Sequence, residues 1–336
     1  MTLDKPYSDE SNPDKQQRSV LVTGGAGFIG SHLVDRLLAQ GDSVTVIDDM
    51  STGLRTNLPQ EHELLNVITG TVSESLGSID IDVDVIFHLA AAVGVKLVVD
   101  EPIRTIETNV LETSEILRFA SLHNTPILLA STSEVYGKST AIPMQEEGDL
   151  VFGATTKSRW SYGCSKALDE HLAMAWFNRE GVPVRIPRLF NTIGPRQRGG
   201  LGMVVPRFVK AAMNNQPLVV YGDGLQTRCF CDVRDTVPML LDLMGTNKSI
   251  GLVVNVGSNE PITIMELAEL VQSTLKSKST IECISMDDVY GEGFEDLQVR
   301  QPDLERIVSL IGNRTRIPLQ DTILSIAESR SIGIEK

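Results

Sequence analysis

Tyr162 and Lys166 stand four residues apart in Tyr162-Gly163-Cys164-Ser165-Lys166, on a stretch of helical periodicity, so their side chains share one face. An ordinary tyrosine ionises at about pH 10, and an ammonium one turn away, beside a nicotinamide cation, stabilises its phenolate. Such a pair is suited to moving a proton near neutral pH. Much earlier in the chain, Gly24, Gly27 and Gly30 form a G-x-x-G-x-x-G directly after Val20-Leu21-Val22-Thr23. Glycines at that spacing let the chain turn sharply, let backbone approach a pyrophosphate, and seat a helix against a sheet. The helix opens through Phe28 and Ile29, and its first amides and positive dipole end face the phosphates. Asp48 follows Gly24 by 24 residues, where a carboxylate accepts hydrogen bonds from an adenosine ribose and repels a 2′-phosphate. The expected cofactor is therefore NAD rather than NADP.

These groups need a scaffold, and the apolar patterning supplies one. Ser19–Thr23, Ser43–Ile47, Val83–Leu89, Pro126–Ser131 and Val182–Leu189 read as buried strands, without strict polar alternation. Between them Phe28–Gln40, Ile103–Leu122 and Tyr162–Arg179 carry apolar residues at helical spacing. Strands of that kind separated by helices indicate an α/β fold, a doubly wound parallel sheet covered on both faces. Asn191–Gly202 breaks the rhythm as a loop; a helix over Val204–Asn215, a strand over Leu218–Tyr221 and shorter elements follow. Val253–Val256 reads as a strand that rejoins the sheet. Residues 1–17 contain almost no large apolar side chains and read as a disordered tail.

Composition bounds the function classes. With 30 basic and 44 acidic side chains the 336-residue chain carries a formal charge of −14, which excludes a general nucleic-acid binder. No apolar run reaches the roughly 20 residues that span a bilayer, so no membrane association is expected. Cys164, Cys229, Cys231 and Cys283 are too scattered for a disulfide framework or a structural metal site. Alternation on a strand accounts for Cys229-Phe230-Cys231. A cytoplasmic, metal-free protein is expected.

Taken with Ser131-Thr132-Ser133-Glu134-Val135-Tyr136-Gly137, the motifs resemble the extended short-chain dehydrogenase/reductase family, whose members act on nucleotide sugars. The likeness runs from about Arg18 to Ile326. It implies a Rossmann domain over 18–190, rejoined by 230–260, and a smaller, partly interleaved substrate-binding domain formed by 191–229 and 261–330. It also implies a catalytic triad of Thr132, Tyr162 and Lys166, with Leu89, Ala90 and Asn109 at the cofactor. His88 reads as structural. By the same resemblance Asn191 and Arg228 contact a UDP diphosphate, while Val219 and Tyr221 lie on the strand that lines uracil. Arg196 and Arg198 read either as phosphate-facing or as solvated charges. Family members commonly pair through the helices matching Ile103–Leu122 and Leu168–Phe177, so a homodimer is expected.

The resemblance also bears on the reaction. Ser133-Glu134 follows the triad threonine where 4,6-dehydratases carry Asp-Glu, and is similar to UDP-glucuronate decarboxylases. So are Lys157–Tyr162, Gln226–Phe230 and Tyr290–Asp296 leading to Arg300-Gln301-Pro302-Asp303. The reading implied is oxidation at C4 followed by loss of the carboxylate. Arg300 would anchor that carboxylate or place a proton donor, Glu134 would orient substrate or water, and Ser133 would hydrogen-bond the carboxylate. Ala92-Val93-Gly94-Val95-Lys96 departs from the decarboxylases and keeps 4-epimerisation as the alternative, with a catalytically silent NAD-binding regulator as a further class. Gly70-Thr71 replaces the common Gly-Asp at the adenine.

Overall fold

The computed structural model describes residues 17–79, 82–94, 100–199, 203–290, 297–314 and 316–331. Expectations for residues 1–16, 95–96, 200–202 and 291–296 lie outside that range. In chain order the strands are β1 (Ser19–Thr23), β2 (Ser43–Asp48), β3 (Leu65–Thr69), β4 (Val85–His88), β5 (Ile127–Leu129), β6 (Ser131–Thr132) and β7 (Val184–Leu189). They continue with β8 (Thr192–Ile193), β9 (Leu218–Tyr221), β10 (Thr227–Cys229), β11 (Cys231–Asp232), β12 (Leu252–Val256), β13 (Pro261–Thr263), β14 (Ile281–Ile284) and β15 (Val299–Arg300).

The large sheet is parallel, in the order β12-β7-β5-β4-β1-β2-β3, with β6 also pairing β7. Its central strands are buried on both faces because helices cover both, which is why they lack polar alternation. The longer helices are α1 (Phe28–Ala39), α2 (Pro102–His123), α3 (Ser161–Glu180), α4 (Val204–Met213), α5 (Val233–Gly245), α6 (Ile264–Thr274) and α7 (Leu319–Ser331). On one face Leu33 and Leu37 of α1 meet Leu240 and Met244 of α5 over Val20 and Val22 of β1. On the other, Ile116 and Leu117 of α2 and Ala173 of α3 pack on Leu21 and Ile86. Helix ends follow local rules: Pro102 opens α2, and left-handed Asn124 (φ 50°) and Gly181 (φ 73°) close α2 and α3.

Residues 230–260 contribute α5 and β12, and β12 pairs with β7. A further core gathers Phe208 of α4, Leu218 of β9, Leu267 of α6 and Ile323 of α7. β10 lies between β13 and β15, and its register sets Arg228 beside Arg300. In the large sheet the strand order reverses at β1, with β2 on one side and β4 on the other. A crevice opens beyond the carboxyl ends of strands at such a point, and ligands settle there.

Candidate active site

The crevice is a continuous cleft of about 480 Å³ running from the glycine turn to the side chains of β9, β10 and β15. At one end Gly24 takes φ +72°, and a Cβ there would sit 2.7 Å from Ala90 N. A Cβ at Gly30 would sit 2.1 Å from Gly24 O, so the first turn of α1 closes on the loop only as glycine. Gly27 is the N-cap of α1 and makes no side-chain cap, and no acid occupies the first turn, so its amides face the cleft uncompensated. Asp48, at the end of β2, accepts hydrogen bonds from Ala26 N through Oδ2 and Met50 N through Oδ1, both at 2.9 Å. Burial raises its pKa, and the Met50 and Ala26 amides oppose that. The Gly27 amide also contacts the carboxylate, which lines the cleft with acceptor capacity remaining. Thr71 lines this end too, and its hydroxyl caps the short helix Val72–Ser75 in a reciprocal box with Glu74. Glu112 of α2 crosses to accept from Ser73 N and Oγ, each at 2.9 Å, and lines the same end. The glycine cradle and Asp48 fit NAD.

Leu89 and Ala90 follow β4 along the cleft wall. Beneath them His88 is 1% exposed and hydrogen-bonded to Thr23 (2.8 Å) and Thr113 (3.3 Å). Burial and then the nearby Lys166 charge push its pKa down to about 3, so it is a neutral brace. Asn109, expected at the cofactor, lies behind the wall; it accepts from Ala92 N (2.9 Å) and donates to Ser165 Oγ (3.0 Å).

At the centre of the cleft Thr132 ends β6 and caps the 3-10 turn Ser133–Tyr136, its Oγ1 accepting from Glu134 N at 3.2 Å. That turn presents Ser133 and Glu134 opposite Tyr162, which opens α3. Glu134 is bracketed by two guanidiniums: Arg159 at 2.5 Å on Oε2 and Arg300 in direct contact with Oε1. Burial raises its pKa, but the Arg300 and Arg159 charges and hydrogen bonds outweigh it and hold the carboxyl at about 2. Tyr162 is pushed above the ordinary tyrosine value by burial first, then by the Glu134 and Asp169 charges, and a Thr132 hydrogen bond opposes them. Lys166 shares the helix face with Tyr162 as its spacing requires, but its Nζ is 2.8 Å from Asp169 Oδ2 and behind the cleft wall.

Toward the other end Asn191 donates to Cys229 O (2.9 Å), and Arg228 Nη1 donates to Thr227 O (2.8 Å). Both line the cleft. Tyr221 does as well, with the Arg207 guanidinium 4.0 Å over its ring. Val219 is not in the lining; its carbonyl accepts from Arg207 Nη1 at 2.6 Å and so fixes that arginine. Arg196 pairs with Asp35 (2.7 Å) and Arg198 donates to Thr52 O (3.1 Å), each at the cleft's edge. Cys229 and Cys231 are buried free thiols on successive short strands. The site residues that motif reading missed are Arg159, Arg207 and Glu112. Arg159 stands three residues before Tyr162, but its place beside Glu134 has no signature in spacing.

Comparison with known proteins agrees with this geometry. The model of the NAD dependent epimerase/dehydratase family matches residues 20–257. The chain is 40% identical to the UDP-N-acetyl-alpha-D-glucosaminuronate decarboxylase of Bacillus cytotoxicus, over 87% of this chain and 91% of that protein. It is 38% identical to UDP-glucuronic acid decarboxylase 1 of Danio rerio, over 92% of this chain and 71% of the relative. Among solved structures, UDP-N-acetylglucosamine 4-epimerase from Methanobrevibacter ruminantium M1, in complex with UDP-N-acetylmuramic acid, superposes with a TM-score of 0.85. It is 27% identical, with 95% of this chain and 100% of that one covered. With its doubly wound sheet, its glycine cradle and a carboxylate at the end of β2, the chain belongs to the NAD dependent epimerase/dehydratase family and is an enzyme whose cofactor is NAD.

Proposed function

We propose that the enzyme decarboxylates a UDP-linked hexuronate, UDP-glucuronate first among them, through a 4-keto sugar. The observation that carries this is the pair Arg159 and Arg300 around the single carboxylate of Glu134. The two guanidiniums converge on that carboxylate beside Tyr162, where a sugar carboxylate would be held. The names of the relatives from Bacillus cytotoxicus and Danio rerio support the same chemistry.

Bound NAD supplies the acceptor, and later the donor, of a hydride. The chain's own residues do the rest. Tyr162 accepts the C4 hydroxyl proton, with Thr132 as the neighbour that eases its ionisation. The resulting β-keto acid loses its carboxylate because the ketone accepts the bond's electrons. Tyr162 and Thr132 hydrogen-bond the developing enolate oxygen, a contact worth more where substrate has displaced water than in bulk solvent. Glu134, ionised down to about pH 2, is no proton donor at neutral pH; it orients Arg159 and Arg300. Arg300 anchors the carboxylate and places a donor at C5, directly or through water, and Ser133 hydrogen-bonds the same group. Asn191 and Arg228, with Arg207 on Tyr221, hold the diphosphate and base. Residues 18–190 with 230–260 form the cofactor part in this reading, and 191–229 with 261–330 form the part that holds the UDP-sugar.

A 4-epimerase reading uses the same proton-transfer residues, and the Methanobrevibacter neighbour favours it. Incubation with UDP-glucuronate and NAD, followed by NMR of the sugar, separates the two. A pentose product supports decarboxylation, and an unchanged uronate inverted at C4 supports epimerisation. The enzyme acts as a homodimer in a cytoplasmic, reducing setting on this reading. The four free cysteines and the exposed apolar residues of α2 and α3 support those two points. Among the described residues no helix is long and apolar enough to cross a membrane.

A further inference from the structure

The helix bearing Tyr162 and Lys166 brings a third ionisable group, Asp169, into the same buried layer. Asp169 is 0% exposed and Lys166 2%, with Oδ2 2.8 Å from Nζ. The other carboxylate oxygen is buried too, and no described residue hydrogen-bonds it. A half-satisfied buried carboxylate is a costly way to fill a helix face, which an apolar side chain would fill more cheaply. Such a residue calls for an account.

The groups around it come from several elements. Thr113 of α2 lies against the carboxylate and is hydrogen-bonded to His88 of β4 at 3.3 Å. His88 is in turn tied to Thr23 of β1. Glu170, the next residue of α3, is engaged by Arg188 of β7 at 2.7 Å and by Ser131 of β6. Beyond Tyr162 stands Glu134 with Arg159 and Arg300. The acids Glu134 and Glu170 are thus matched by arginines, whereas the cation matched to Asp169 is Lys166.

We propose that Asp169 is a positioning residue: it fixes the Lys166 ammonium behind the cleft wall and withholds part of its charge from Tyr162. Asp169 thereby sets the pH at which Tyr162 takes up the substrate proton. The proposal rests on the reading of Tyr162 and Lys166 as the proton-transfer pair. Electrostatics points the same way. After burial and Glu134, Asp169 is a further influence holding the Tyr162 phenol protonated, and its contact with Lys166 offsets the ammonium that would oppose them.

The test is the pH dependence of kcat/KM for UDP-glucuronate in the native holoenzyme and in Asp169→Asn, Asp169→Leu and Asp169→Glu. The two neutral variants should move the acid limb to lower pH by about one unit, a roughly tenfold gain in relative rate on that limb. Asp169→Glu should leave the limb near its native position. Having two neutral variants covers the case in which one does not fold, and NAD binding reports folding. Ultraviolet difference titration of the holoenzymes, with Tyr162→Phe as the blank, reads the same ionisation without turnover. An acid limb and tyrosinate titration unmoved in a folded neutral variant, with only the melting temperature lowered, would overturn the proposal. Full turnover by Tyr162→Phe would instead remove the proton-transfer reading underneath. An inactive Tyr162→Phe beside an unmoved limb retires the role of Asp169 alone.

Discussion

Glu134 keeps its negative charge in a largely buried position because Arg159 and Arg300 hold both of its oxygens. Removing one arginine would leave one oxygen of the Glu134 carboxylate without its guanidinium partner. Arg300→Ala should therefore lower kcat by about 100-fold or more, the order found when a transition-state donor is lost, while UDP affinity stays near native. Steady-state kinetics and UDP titration check this; equal losses in both would place Arg300 at the nucleotide instead. The same trio has a stability signature. A carboxyl whose folded pKa is about 2, below its ordinary 4.5, stabilises the fold above pH 4.5 and loses that contribution as pH falls toward 2. Denaturant titrations at pH 6 and pH 3 should show Glu134→Gln much less stable than native at the higher pH and nearer to it at the lower. A gap that widens on acidification would contradict the pairing. Residue types at known motif spacing, such as Tyr162 and Lys166, were legible in the sequence. Arg159 was not, because its partner lies 25 positions earlier and only the turn after β6 brings them together.

At the scale of elements, the β1–α1 turn is the most constrained piece of the molecule. Gly30→Ala puts a methyl 2.1 Å from Gly24 O, so the turn must open or α1 must shift from the sheet. With about 1–3 kcal/mol of strain, NAD affinity should fall roughly 10- to 100-fold by calorimetry, with the reaction otherwise recoverable at saturating NAD. Native NAD affinity in that variant would remove the cradle from cofactor binding. This turn could be read because its signals are local: a buried strand, glycines at fixed offsets, an apolar helix. β3 could not be read in the same way. Leu65-Asn66-Val67-Ile68-Thr69 is an edge strand with half-exposed, mixed side chains, and it is a strand by virtue of pairing with β2. β10, β13 and β15 are three residues or fewer and exist through pairing across 32 to 72 positions (from Cys229↔Pro261 to Thr227↔Val299). Their register nevertheless sets Arg228 beside Arg300.

At the scale of the whole molecule, a formal charge of −14 coexists with a cleft edged by Arg159, Arg207, Arg228 and Arg300. Net charge thus describes the solvated exterior, and a few arginines fixed by carboxylates, carbonyls and an aromatic face set the field where an anionic ligand binds. The outer faces of α2 and α3 carry exposed apolar side chains among charged ones: Ile103 is 72% exposed, Leu111 58%, Leu122 78% and Leu168 51%. Two such helix pairs facing each other would bury these residues. Leu111→Glu with Leu168→Glu should convert a dimer to a monomer in sedimentation equilibrium, and a native protein that is monomeric at micromolar concentration would refute the pairing. The most direct test of the central claim is to supply the holoenzyme with UDP-glucuronate carrying ¹³C in its carboxylate and follow the label by NMR. Decarboxylation predicts that the label leaves the sugar and appears as carbon dioxide and bicarbonate while a UDP-pentose forms. Label retained in a UDP-hexuronate, with C4 inverted or untouched, would contradict it.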